Sequence, residues 1–229
     1  MTKLATAGKI KVKSALLAKP ALIYEYTHAS ASSLVVAFDD AKAKRGNPRG
    51  ILTDQEQDIL RAALVMCCAG VDASLKQAIR DCFEHLLEES KPVREGFEKF
   101  IRKRISGEGD ALELAAGSKF LALVLAEKSP RTKLIEEYIR DLTGDSLQSV
   151  DEILRTTAAL GLDNKKLGLD VARLKDAFQI RNKIIHELDL DLGAPNRKRK
   201  VRSQADLIDT SDFMLSSIKK VLETLDATL

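Results

Sequence analysis

The chain has 229 residues, enough for one sizeable hydrophobic core with a smaller elaboration. Hydrophobic residues make up 45% and charged residues 31%, with 4% aromatic and no Trp, which excludes a disordered chain and favours helices rich in Ala, Leu, Lys and Glu. The net charge is only +3, but residues 1–50 hold nine Lys or Arg against three Asp or Glu, a net +6 that leaves −3 on the rest. A basic arm on a mildly acidic body suits contact with a polyanion or a solvated tail.

In chain order, residues 1–18 read as a flexible basic arm, and residues 19–50 as an N-terminal helical extension carrying a helix over Ala21–Lys44. The run Arg45-Gly46-Asn47-Pro48-Arg49-Gly50 ends that helix and is the expected domain boundary. Thr53-Asp54-Gln55-Glu56 has the form of a capping box, opening a long helix to about Glu88 with apolar residues at helical spacing. A shorter helix follows over Ser90–Ser106. Asp110 to Glu113 forms another capping box, for a helix to about Lys128. Its apolar stretch, Leu112–Ala126, is broken by Glu113, Ser118 and Lys119, too short and polar to span a bilayer, and reads as a buried helix. Ser129-Pro130 starts the next helix, which ends near Gly144, and Ser149 to Glu152 caps one ending at Gly161. A helix from about Leu169 to Leu190 is broken by Gly193, Pro195 and Asn196. The basic loop Arg197–Arg202 follows, and a last helix covers Ser203–Thr228. No segment alternates with period two, so the protein is expected to be all-α.

Cys67, Cys68 and Cys82 have neither zinc-ligand spacing nor a disulfide framework, so they are expected to be reduced core residues, with no metal or other cofactor. No apolar run near the N-terminus suits a signal peptide, and a cytoplasmic location is expected.

The chemistry-bearing residues lie in the helix after Leu169. Arg181 is a permanent cation whose planar fork fits phosphate oxygens, and His186 is the side-chain type that titrates near neutral pH. At about 100° per residue, Asn182 and His186 share a face, while Arg181 lies about 140° from His186. One copy of the helix therefore splays the pair. Two copies meeting across a two-fold axis would close a cleft holding two Arg and two His. The plain alternatives are a His favoured by a helix C-terminus and an Arg paired with Asp176 or Asp189.

The segment Arg181-Asn182-Lys183-Ile184-Ile185-His186 resembles the R-x4-H signature of the HEPN superfamily. Ile59–Ala73 and Ser149–Leu162 resemble the first long helix and the short helix with glycine turn of its RiboL-PSP type. The resemblance covers Thr53–Leu229, with none in the first fifty residues. It implies a HEPN-like helical bundle over 51–229 and a homodimer through the motif helix. It implies a metal-independent endoribonuclease with Arg181, Asn182 and His186 catalytic, serving as a toxin or effector in bacterial anti-phage defence under an inhibitory or regulatory partner. Attack by the RNA 2′-hydroxyl would need a base, an acid and a cation, which two His and an Arg can supply. Asp72 is expected near the motif, paired with Arg181 or His186 or else facing water, and Asp189 is placed to fix the His186 ring. Arg197, Lys198, Arg199, Lys200 and Arg202 can clamp RNA phosphates or form a solvated turn. His28 and His85 read as ordinary helix residues. The rival functions are a non-catalytic HEPN module binding RNA or a partner protein, and a structural helical scaffold for dimerisation.

Overall fold

Thr53 and Glu56 cap one another: the Glu56 amide donates to Thr53 Oγ1 and the Thr53 amide to Glu56 Oε2. This closed box starts the longest helix of the protein. The computed structural model describes residues 2–45, 50–106, 111–126, 128–191, 193 and 198–229, and for 106 and 111–116 it describes the backbone alone. Within these residues the helices are α1 (Ala18–Lys44), α2 (Asp54–Glu89), α3 (Lys91–Ser106), α4 (Ala111–Leu125), α5 (Pro130–Thr143), α6 (Val150–Ala159), α7 (Asn164–Leu167), α8 (Val171–Glu187) and α9 (Gln204–Asp226). Among the described residues there is no strand, and a lone antiparallel bridge joins Leu190 to Arg199. The all-α expectation holds.

α2 is the spine. Its Leu60, Leu64, Cys67, Val71, Leu75, Ile79 and Phe83 are all buried, three or four residues apart, the spacing that lines one stripe of a helix. α1 lies antiparallel against it. Arg45 meets Glu56, Thr27 meets Gly70, and the Leu16 carbonyl meets Cys82, so α1 numbers fall as α2 numbers rise. A Cβ at Gly70 would overlap the Thr27 side chain, so the glycine lets these two helices touch. Leu17, just before α1, and Tyr24, Ala31 and Phe38 within it join the same core as α2 and α9. Residues 46–49 of the expected boundary lie outside those described.

Residues 2–14, expected as a flexible arm, are laid between α1 and α9. Asp39 and Asp212 accept from the Thr2 and Thr6 amides, and Asp226 from those of Lys13 and Ser14. Tyr24 donates to the Ala7 carbonyl, His28 bonds the Thr6 carbonyl, and Ile10 is buried. Extended backbone groups that would otherwise need water find carboxylates here. His28, read as an ordinary helix residue, is one of the anchors.

Beyond Phe83, the rings of Phe97, Phe100 and Tyr138 join α2, α3 and α5 in an aromatic cluster with centroids 4.7–5.8 Å apart. The apolar helix expected to be buried is not wholly so: Val124 of α4 is buried, but Leu121, Leu123 and Leu125 are exposed. No helix among the described residues is long and apolar enough to cross a membrane. The capping box expected from Asp110 lies outside the described residues. Ser129 makes no capping bond to the backbone; its hydroxyl meets Thr132 Oγ1 instead, while Pro130 occupies the first turn of α5 as expected. The box at Ser149 and Glu152 is formed in both directions.

Candidate functional site

α8 begins where Asp170 accepts from the Arg173 amide and buries Leu174, Ala177 and Phe178 against the body. Continuing that inward stripe by seven residues from Leu174 gives Arg181, so a cation follows three apolar positions onto the body-facing side. Arg181 is half-buried. Its Nη1 donates to Gln148 Oε1 at 2.8 Å and to Asn182 Oδ1 at 2.9 Å. Neither Asp176 nor Asp189 pairs with it. Its charge reaches across to α2: burial pushes the Cys68 thiol up to about 12, against an opposing pull from Arg181. One nitrogen of the guanidinium is therefore held by two acceptors.

His186 lies one turn beyond Asn182 and is exposed, and its ring makes no hydrogen bond or ion pair among the described residues. Ile185 and Leu188 beside it are exposed large apolar residues. α8 stops at Glu187, three residues before the expected Leu190, because Leu188 and Asp189 both turn left-handed, with φ of 50° and 56°. Asp189 tolerates that conformation better than most residues, and Leu188 does not.

The reversal swings Asp189 into the interior. Its carboxylate takes Arg61 Nε at 3.0 Å and a forked Arg202, Nε at 2.7 Å and Nη2 at 2.6 Å. Burial alone would raise this carboxyl. The hydrogen bonds and charges of Arg202 and Arg61 outweigh it and hold the group below the usual carboxylate range. Both oxygens are occupied, so Asp189 does not fix the His186 ring. It anchors the end of the motif helix to α2 instead.

The loop expected to clamp phosphates is drawn into the same anchor. Arg61 Nη2 donates to the Lys200 carbonyl, and Gln57 accepts from the Arg202 amide. Arg199 pairs with Asp58 at 2.7 Å and reaches the Leu188 carbonyl. Arg202 is buried and committed to Asp189, so it is not a free phosphate ligand; Arg199 is engaged too. Lys198 and Lys200 are exposed, and Arg197 lies outside the described residues. Asp72 sits elsewhere: it accepts from the Leu147 amide at 2.9 Å and pairs with Lys76. It touches neither Arg181 nor His186. By fixing Leu147, it places the neighbouring Gln148 that holds Arg181.

The structure thus brings Arg181 and Asn182 together, leaves His186 free one turn on, and gives Asp72 and Asp189 supporting roles other than those expected. Sequence reasoning missed Gln148 and Arg61. Arg61 carries a signal, an arginine within the apolar stretch Ile59–Val65; Gln148 carries none. Among the described residues no group of His, Cys, Asp and Glu gathers as a metal site.

A family model described as RiboL-PSP-HEPN matches residues 31–229. The match begins inside α1, ahead of Thr53, and so takes in residues 31–50, which the sequence motifs left outside the resemblance. No curated protein and no solved structure matches the chain.

Proposed function

The chain belongs to the RiboL-PSP-HEPN family, and from that membership and the geometry of α8 we propose that it is an endoribonuclease acting as a homodimer. The observation that carries the reading is the pair of states on one helix: Arg181 is held by Gln148 and Asn182, while His186 stands exposed and unpaired among the described residues. A phosphate clamp must be fixed to be effective, and a proton carrier must be open to substrate.

In the proposed reaction one His186 takes the proton of a ribose 2′-hydroxyl. The 2′-oxygen bonds to phosphorus and the 5′-oxygen bond breaks, leaving a 2′,3′-cyclic phosphate. The His186 of the second protomer protonates the departing 5′-oxygen. Arg181 faces the charge that builds on the phosphoryl oxygens, and the Asn182 amide nitrogen holds one of them. Exposed Ile185 and Leu188 supply apolar surface for joining two copies of α8. The scheme calls on no metal. Exposed Lys200 adds phosphate attraction; Arg202 and Asp189 act only by holding the helix end. A role in anti-phage defence and a restraining partner follow from the resemblance, since a ribonuclease active on its host's RNA needs control.

The test is cleavage of end-labelled RNA in EDTA by wild type, Arg181→Ala and His186→Ala. The two substitutions are expected to lower the rate by about 10²–10⁴-fold. Equal rates in all three proteins would instead leave a module that binds RNA or a partner without cutting.

A further inference from the structure

A cleft of about 1170 Å³ opens between α3, α4, α5 and the C-terminal half of α6. This is at or above the upper end of small-molecule sites, which run about 300–1,000 Å³. Its walls combine cations and rings. Lys99 and Lys103 stand one turn apart on α3, exposed and without an ion pair among the described residues. Arg104 of α3 and Arg155 of α6 both reach Asp141 of α5, two guanidiniums on one carboxylate. The other acid of the lining, Asp163, is turned to the Lys165 and Lys166 amides at the start of α7. The cleft is therefore net positive.

Phe100 and Phe120 line the same space, each partly exposed. Tyr138 is buried beneath Phe100, with ring centroids 4.7 Å apart, and its hydroxyl has no hydrogen-bond partner among the described residues. The Arg104 guanidinium lies over the Phe100 ring, 5.5 Å from its centroid, while Phe120 is partly exposed to the cleft. Unpaired cations beside a partly exposed ring are what single-strand nucleic-acid grooves present: charge for the backbone, a π-face for an unpaired base. The basic loop after α8 has no such rings.

We propose that this cleft binds unpaired nucleotides of single-stranded RNA, the phosphates against Lys99 and Lys103 and a base against Phe120. The site goes beyond the cleavage reading and does not depend on it, because a strand can bind here whether or not it is cut at α8. α6 links the two places: Arg155 and Ala158 line the cleft, and Gln148, just before the helix, holds Arg181.

The experiment measures anisotropy of a fluorescent single-stranded RNA oligonucleotide with full-length His186→Ala protein, so that failure of cleavage does not enter. Lys99→Glu/Lys103→Glu and Phe120→Ala are compared in that background, with circular dichroism to confirm the fold. The charge reversal is expected to weaken binding by more than about tenfold at low salt, with a smaller ratio at high salt, and Phe120→Ala by about tenfold. Duplex RNA, whose bases are stacked away, is expected to compete poorly. Unchanged affinity in both variants overturns the proposal. AMP competing as well as the oligonucleotide also overturns it, by replacing a strand with a free nucleotide.

Discussion

Replacing Asp189 by Asn keeps the shape and the tolerance for a left-handed backbone but removes the charge from the anchor at the end of α8. In the native protein the side chains of Arg61, Asp189 and Arg202 are 2%, 1% and 9% exposed. Arg61 would keep Asp58, Gln57 and the Lys200 carbonyl as acceptors. Arg202 would lose the carboxylate that takes both its Nε and its Nη2. Breaking a buried pair by removing one partner costs about 3–5 kcal/mol. Asn still offers one acceptor and Arg202 lies nearest the surface, so the lower end, about 3 kcal/mol, is expected. In a chain of this length that lowers Tm by about 6–12 °C. The carboxyl sits below its usual value when folded, so its contribution is complete above the unfolded-state value of about 3.9 and is lost as pH falls toward the lower native one. Urea unfolding of wild type and Asp189→Asn should therefore differ fully near pH 7 and converge in acid. A loss below about 1 kcal/mol near neutrality, or a gap that grows in acid, would refute the buried anchor.

Leu188→Asp suits the left-handed backbone better than leucine does and puts a charge on the proposed dimer surface; light scattering should show a monomer of near-native stability, whereas an intact dimer would move the interface away from α8. Gly161→Ala should lose about 1–3 kcal/mol in thermal unfolding, because its φ is +77° and a Cβ would lie 2.9 Å from Val93 Cγ2; an unchanged Tm would contradict that geometry. The three cysteines are buried, and burial pushes the Cys68 and Cys82 thiols up to about 12, so an alkylating agent at mildly alkaline pH should label the native protein only as fast as it unfolds.

Helices were legible wherever local chemistry decides them. The capping boxes at Thr53 and Ser149 and the Pro at position 130 mark starts that depend on a few neighbouring residues. What could not be read was set by partners distant in sequence. The end of α8 is decided by Arg61, more than a hundred residues earlier, which draws Asp189 inward. The arm of residues 2–14 is ordered by carboxylates on α1 and α9 that no local pattern links to it. The basic loop looked like a phosphate clamp because its charges are adjacent in sequence, but Asp58 and Asp189 already take two of them. The motif itself was readable as residues, and its preparation was not: Gln148 is an ordinary polar residue until folding sets it against Arg181.

The chemistry assigned to α8 is tested most directly by the 3′ end it leaves. A labelled RNA oligonucleotide and its all-deoxy counterpart, each with excess EDTA, are incubated with wild type and His186→Ala, and the product ends are read by mass. Wild type is expected to leave 2′,3′-cyclic phosphate ends on RNA and to leave the DNA intact, and His186→Ala to give no product. Cleavage of the DNA, or equal cleavage of RNA by His186→Ala, would contradict that chemistry.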